Sequence, residues 1–382
     1  MPCGNISNMS DSIDQNKTLE VRVYEQIYHI FYHFGLPMIC VFGFLGNVLN
    51  LAVLNQKRLQ TSLMKMEQAA SIYLIALASS DLLFCISAFM TTFVPLEMVF
   101  EKKGFLLYYT QNCAAVINIF IMTSTWVTVV FAVERYVAIC HPLKSRYMLS
   151  MKGTRLTIGL IYLFSVLFNI PVFWRYTIQT VECPGNVTYF RLDQQIIFSD
   201  TFDQAYRGVW AIFGNLLPLV ILVYANVCLV RGIRKSTVLR RQYGGYKDGK
   251  HVKESNNKIT LTLIIIVILF LTLVAPSELI KQVVLLDSTL QFSHAYMSVE
   301  VITNFMQSVN FSINFILYCI INRSFRRTMK HMVLKFVKNY LPFFRFNYEP
   351  GEVSIPRGGG SFRSYRSVNL KFPNDSCEGS RV

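Results

Sequence analysis

Asp81 lies in the apolar run LIALASSDLLF, with no other charge near it in the chain. A carboxyl set in such a run costs about 2.5–3.5 kcal/mol at the centre of a bilayer, so it needs partners or a cation. Asn47 in FLGNVLN, Ser124 in a later apolar run, and Asn310 and Asn314 near the end of the chain offer amide and hydroxyl groups. A carboxylate among such oxygens suits a small hard cation such as Na⁺. The plainer alternative is a protonated carboxyl acting only as packing glue. Asn314 opens the stretch NFILY and Tyr318 closes it; their spacing places both on one helical face, one turn apart. A second cluster is VERYVAICHPL, where Glu134 adjoins Arg135, Tyr136 follows, and Pro142 stands in a basic loop. Adjacent opposite charges at a helix end pair with each other while a bundle is closed and free the arginine for a partner when it opens. Alone, such a dipeptide reads equally well as a snorkelling interfacial pair. A third group is acidic: Glu97, Glu278, Asp287 and Glu300 lie near segment ends, with Asn304 and Gln307 close to the last of them. Such carboxylates accept a guanidinium bidentately and such amides bind a terminal amide, unless they are only solvated rim charges.

These residues need elements that bring them together away from water. Of the 382 residues 53% are hydrophobic and 15% charged, against roughly a quarter charged in soluble domains. Seven apolar segments recur, over Ile27–Leu54, Ala69–Leu96, Phe105–Ile139, Leu156–Phe173, Tyr206–Val230, Ile259–Leu286 and Tyr296–Ile321. Most of them reach the roughly 20 residues that span a bilayer. The reading is an all-α integral membrane protein, a seven-transmembrane helix bundle. The net charge of +15 falls between the segments, which argues for membrane topology and against a nucleic-acid partner. Lys57, Arg58 and Lys65, then Lys144, Arg146, Lys152 and Arg155, then Arg231, Arg234 and Lys235, then Arg323, Arg326, Arg327 and Lys330 mark one side. That side is cytoplasmic by the positive-inside rule, which leaves the N-terminus outside, at the plasma membrane. The N-x-S/T sites at Asn5, Asn8, Asn16 and Asn186 fall on the outer side; Asn374, on the inner side, is a chance match. No secretory leader precedes the first segment, which is expected to insert by itself.

The expected organisation is an outer glycosylated segment over 1–26, the bundle over 27–321, a short amphipathic cytoplasmic helix over 322–340 and a disordered tail over 341–382. In NRSFRRTMKHMVLKFVKNY, Phe325, Met329, Met332, Val333 and Phe336 recur at three- and four-residue spacing between basic residues. That is the pattern of a helix lying on the lipids of an anionic inner leaflet. The tail RGGGSFRSYRSVNL carries phosphorylatable residues, and Ser380-Arg381-Val382 could add a strand to a PDZ protein. Of nine cysteines, Cys3, Cys113 and Cys183 lie on the oxidising side. One disulfide is expected there; Cys113–Cys183 is the preferred pair and Cys3 competes.

Asn47, LxxLAxxDLLF, ERYVAICHPL, Pro218, Pro276 and NFILY occur in order, one set per segment. Together they resemble the rhodopsin-like class of G-protein-coupled receptors over about residues 27–340. LFNIPVFW and SINFILYCIINRSFRR are similar to invertebrate FMRFamide-type and related neuropeptide receptors. The resemblance implies that Arg135 engages a heterotrimeric G protein, with Glu134 as its resting partner. It implies a sodium pocket at Asp81, Ser124, Asn310 and Asn314, a Tyr318 that swings inward on activation, and a transmission set of Pro218, Thr125 and Phe270 with Pro276 beside it. It implies no enzyme activity, no cofactor beyond an allosteric sodium ion, and arrestin and receptor kinases as partners of the tail. Departures are visible. Val274 stands where the class has a tryptophan, the fourth segment lacks its tryptophan, and Asn226 replaces a tyrosine. Cys113 precedes Arg135 by 22 residues, fewer than usual. Phe315 replaces a proline and keeps the backbone hydrogen bond that proline deletes, which predicts a straighter last helix.

For the ligand, no acid occurs near Ile117 and Asn118, which excludes an amine by comparison with aminergic receptors. The acidic outer rim favours an extracellular neuropeptide, amidated and Arg-containing, over a lipid or other small molecule. Two rival classes fail on their own requirements. A transporter needs repeat symmetry and broken helices, and an intramembrane enzyme needs paired aspartates, GxSxG or HExxH; the sequence carries none of these.

Overall fold

The computed structural model describes residues 19–56, 65–95, 98–141, 143, 145, 150–183, 187–195, 199–242, 264–265, 268–321 and 323–340. Helix α1 runs Leu19–Leu54 with a π-helical turn at His29–Gly35. Helix α2 is Lys65–Thr91, α3 is Phe105–Cys140, and α4 is Met151–Asn169, followed by a 3-10 turn at Ile170–Trp174. Helix α5 comprises Asp200–Trp210, a π turn at Ala211–Leu216 and Leu217–Gln242. Helix α6 is Ala275–Leu286, α7 is His294–Ile321 and α8 is Arg323–Tyr340. Among the described residues α1 to α5 are each long and apolar enough to cross a membrane, and α7 reaches that measure together with α8. Helix α6, with helical residues 268–273 before it, occupies the second half of the sixth expected segment.

Local chemistry sets the ends. Ser150 caps α4 by accepting from the Gly153 N–H at 3.0 Å, and Ser199 caps α5 by accepting from Phe202 at 3.2 Å. Helix α2 stops at Thr91, short of the expected Leu96. Thr91 and Thr92 hydroxyls donate to the Ala88 and Phe89 carbonyls at 2.7 Å, and Pro95 cannot continue the helix. At the second π turn Gly214 leaves room for the Trp210 ring, which an added Cβ would meet at 3.0 Å. The Trp210 indole instead donates to Asn169 Oδ1 at 3.3 Å and ties α5 to α4. Helix α7 is an uninterrupted α-helix through Phe315.

Helix α1 packs on α2 and α7, α2 on α3, α3 on α4 and α5, and α6 on α7. The burial pattern is inside-out for a water-soluble protein. Leu156, Leu160, Leu163 and Leu167, one face of α4, are more than half exposed, while Asn47, Asn50, Ser80, Asp81 and Thr123 are fully buried. Apolar residues outside and polar residues between helices suit a lipid surround. In α8, Phe325 is buried with Val53, Leu54 and Tyr318, Met329 and Met332 pack beside it, and Arg326 and Arg327 are exposed. Arg326 donates to the Cys319 and Ile320 carbonyls at 2.8 and 2.6 Å, satisfying the open end of α7.

Three strands, not foreseen from the sequence, cover one end of the bundle. Strand β2, Tyr176–Cys183, pairs antiparallel with β3, Val187–Gln194, and β1, Val99–Phe100, joins the far edge of β3. Their signal was readable: β-branched and aromatic residues on both sides of Pro184-Gly185-Asn186.

The hairpin corrects the preferred disulfide. Gln111 on α3 donates to the Tyr176 carbonyl at 3.1 Å, so the start of β2 sits beside that part of α3. Cys183 lies at the other end of β2, seven residues or about 23 Å further along an extended strand. Bridged cysteines need Cα atoms within about 7 Å. Cys113 is a free thiol whose Sγ donates to the Thr110 carbonyl at 3.2 Å, whereas Cys183 is disulfide-bonded. The competing Cys3 lies outside the described residues. Cys113→Ser is therefore expected to leave the disulfide content and surface level unchanged by non-reducing peptide mapping, and Cys183→Ser to remove the cross-link.

Candidate functional site

The polar centre of the bundle is built around Asp81. Helix α2 carries this residue on its inward face, fully buried, between α3 and α7. One carboxyl oxygen accepts from Ser124 Oγ at 2.7 Å and the other from Asn314 Nδ2 at 2.6 Å. One side chain thus joins three helices, and each of its oxygens is satisfied. Asn310, one turn from Asn314, is also buried. The carboxyl, hydroxyl and amide oxygens here fit a small hard cation by donor type. Asn47 does not join the group: its Nδ2 donates to the Phe311 carbonyl at 3.0 Å, and Asn50 donates to Asn47 Oδ1 at 3.4 Å. The Asn47–Phe311 bond ties α1 to α7 instead.

Tyr318 is buried, but its neighbours are Val53, Leu54 and Phe325, and its hydroxyl has no hydrogen-bond partner among the described residues. The expected neighbour, Arg135, is buried on α3 with its guanidinium carbon 5.6 Å over the Phe131 ring. Glu134 is buried beside it, and neither carboxyl oxygen makes a hydrogen bond among the described residues. Consecutive helical residues point about 100° apart, yet Arg135 remains a charged neighbour that acts electrostatically on Glu134. Tyr136 reaches His141 Nε2 at 3.3 Å and stands edge-on to Tyr224. Asn226 turns back to the Leu222 carbonyl at 2.7 Å. Pro142 lies outside the described residues.

Between these levels and the hairpin, Thr125, Phe270, Val274 and Glu278 line one small cavity with Leu219, next to the buried Pro218. Val274 leaves open part of the volume a larger side chain would fill. Pro276, at the second position of α6, has no N–H to donate and marks the break before it. Tyr162 is a residue the sequence reading missed: its hydroxyl donates to the Ala76 carbonyl at 3.1 Å and holds α4 to α2.

Beneath the hairpin a cavity of about 590 Å³ is lined from α1 to α7 by aromatic, amide and charged side chains, among them Tyr32, Tyr206, Trp210, Glu300, Asn304 and Gln307. Glu278 is not part of its wall. Its Oε1 accepts from Gln307 at 2.7 Å and Lys281 at 3.2 Å, so the carboxylate is turned inward and largely neutralised. This corrects its expected place at the cavity mouth. Sequence spacing shows the face of a helix but not which neighbour claims the side chain. Asn304 Oδ1 and Gln307 Oε1 both accept from Ser277, at 2.8 and 3.3 Å. Of the other expected residues, Asp287 caps the 3-10 turn Ser288–Phe292, where hydrogen bonds from Thr289 hold its carboxyl below the usual range. Glu97, Asn5, Asn8, Asn16 and Asn186 lie outside the described residues, as does the tail from 341 with its arrestin, kinase and PDZ sites.

A seven-helix bundle with a buried polar centre, a charged helix end and a hairpin-covered cavity is a receptor architecture, and the sequence comparison agrees. Residues 46–318 match the family model of the 7 transmembrane receptor (rhodopsin family), and the chain belongs to that family. It is a multi-pass membrane receptor, not an enzyme. Among its relatives is the FMRFamide receptor of Drosophila melanogaster, 23% identical over 341 residues, which covers 87% of this chain and 58% of that receptor. The sex peptide receptor of the same fly is 26% identical over 320 residues, covering 79% and 72%. The human B1 bradykinin receptor is 28% identical over 330 residues, covering 84% and 87%. The match thus spans less than two thirds of the FMRFamide receptor's own length.

Proposed function

We propose that this chain is a plasma-membrane receptor, N-terminus outside, for an extracellular neuropeptide that is amidated and Arg-containing, and that it signals to heterotrimeric G proteins. The observation that carries this reading is the wall of the hairpin-covered cavity, where Glu300, Asn304 and Gln307 line one face of α7. A carboxylate there suits a ligand guanidinium, and the amides suit a terminal amide. The relatives named for peptides favour the same ligand class.

A ligand in the cavity shifts the receptor only by its different affinity for two arrangements. The joint of α2, α3 and α7 at Asp81 lies between the cavity and Arg135, and it is the element we assign to those arrangements. A sodium ion held by Asp81, Ser124 and Asn310 would add charge compensation at that joint. Arg135 is the G-protein contact in this reading, with arrestin, receptor kinases and a PDZ protein meeting the tail. A bound G protein must tighten peptide binding by the factor by which peptide tightens G-protein binding.

The test is a calcium response in cells expressing the chain with a promiscuous G protein, challenged with amidated peptides ending in Arg-Phe and with their free acids. Amides are expected to act and acids to be weak. Glu300→Gln should weaken the Arg peptide roughly 30-fold and leave a citrulline analogue unchanged. Equal losses for both analogues would remove Glu300 from the ligand contact. A response confined to lipids or other small molecules would overturn the peptide.

A further inference from the structure

Four charged side chains line the hairpin-covered cavity: Arg175, Arg207, Lys281 and Glu300. Two of the three cations are already neutralised. Arg207 Nε lies 2.7 Å from Asp203 Oδ2, and Lys281 Nζ lies 3.2 Å from Glu278 Oε1. Among the described residues Arg175 has no such partner, and its buried Nε makes no hydrogen bond. Its main chain is fixed at the base of the hairpin, where its N–H donates to the Val172 carbonyl at 3.1 Å and its carbonyl accepts from Gln195 at 2.9 Å. The guanidinium therefore projects from a rigid mount. Glu300, on α7, has Lys281 as an electrostatic neighbour but no ion pair within 4.0 Å among the described residues. Both unmatched charges act on one space. Burial pushes the Tyr176 hydroxyl up from its ordinary range, Arg175 opposes that shift and Glu300 adds to it.

A buried donor without an acceptor is unfavourable, and an anion that fills the position recovers the lost interaction. An arginine fork accepts a carboxylate through two parallel hydrogen bonds. We propose that Arg175 is a ligand-binding residue that receives a carboxylate of the peptide, so that the cavity selects a segment with one cation for Glu300 and one anion for Arg175. This rests on the peptide-receptor reading above and narrows it to a zwitterionic segment. Because that reading has the terminus amidated, the carboxylate comes from an acidic side chain.

Three probe peptides separate that source from a free C-terminus: an amidated hexapeptide with Asp upstream of Arg-Phe-amide, its Asn counterpart, and the Asn counterpart as a free acid. Calcium responses are read on the epitope-tagged full chain, on Arg175→Gln and on Arg175→Lys, with surface levels matched by flow cytometry. The wild type is expected to respond to the Asp amide at roughly 30-fold lower concentration than to the Asn amide. Arg175→Gln should erase that preference while leaving the Asn amide within about threefold, and Arg175→Lys should restore part of it. A preference for the free acid instead would overturn both the amidated terminus and the acidic side chain as the group that Arg175 receives. A wild type that responds equally to all three overturns the assignment of Arg175 alone, even if the variants fail to reach the surface. So does an equal loss for all three probes in Arg175→Gln. A wild type silent to all three overturns the peptide reading and this proposal with it.

Discussion

Replacing Asp81 with alanine is expected to reduce peptide-driven signalling at least tenfold at matched surface level. The carboxyl is the shared acceptor for Ser124 and Asn314 at the meeting of α2, α3 and α7. Alanine leaves two buried donors without a partner, each at a cost of about 1–3 kcal/mol. Loss of 1.4 kcal/mol of preference between two arrangements changes their ratio tenfold. Asp81→Asn keeps the shape and one acceptor but turns an NH₂ toward one of the two donors, so an intermediate loss is expected. Sodium supplies the sharper readout. Agonist affinity in the wild type should fall as sodium rises, and in Asp81→Asn it should not. Wild-type affinity that is flat across the titration would contradict a cation at this joint, leaving the hydrogen-bonded joint itself to the signalling assay.

The second large effect is at Gly43. A Cβ on this residue would meet Ser312 Oγ and Cβ on α7 and lie 2.6 Å from Cys85 Sγ on α2. Ser312 Cβ, 2.9 Å away, cannot move without shifting α7, and overpacking of this kind costs about 1–3 kcal/mol or more. Close helix approach in membranes relies on small residues at such positions. Gly43→Val is expected to cut surface expression, by flow cytometry on the tagged chain, to a small fraction of wild type. Gly159→Ala is the control, because nothing lies within 4 Å of its added Cβ. Equal expression of Gly43→Val and Gly159→Ala would mean that α1, α2 and α7 do not pack as described.

How much was legible in advance varies by residue, and the reasons are physical. Asp81, Ser124 and Asn314 were readable because a polar group in an apolar run must find partners, and the ordered motifs named the helices that supply them. The seven helical segments followed from length and hydropathy. The end of α2 did not, because Thr91 and Thr92 hydroxyls take over its last carbonyls before the apolar run ends. Glu278 was assigned to the cavity by its position after Pro276, but Gln307 and Lys281 turn it inward, a competition that spacing along one helix cannot reveal. Tyr318 faces the expected side of α7, yet Phe325 of α8 folds against it. Nothing in the sequence singles out Arg175, two residues past the fourth segment. Its role depends on the β2–β3 pairing that pins its backbone and on Asp203 and Glu278 neutralising the other two cations, and these are contacts distant in sequence.

The central claim is that a peptide in the hairpin-covered cavity controls a G protein at the opposite end of the bundle. Its most direct test uses the purified full chain in lipid nanodiscs with a heterotrimeric G protein, following GTPγS uptake with and without an amidated Arg-Phe peptide. Peptide is expected to accelerate uptake, Arg135→Gln to abolish the acceleration, and G protein and peptide each to tighten binding of the other by the same factor. A peptide that binds the cavity while uptake stays at its basal rate with every G-protein class would contradict it.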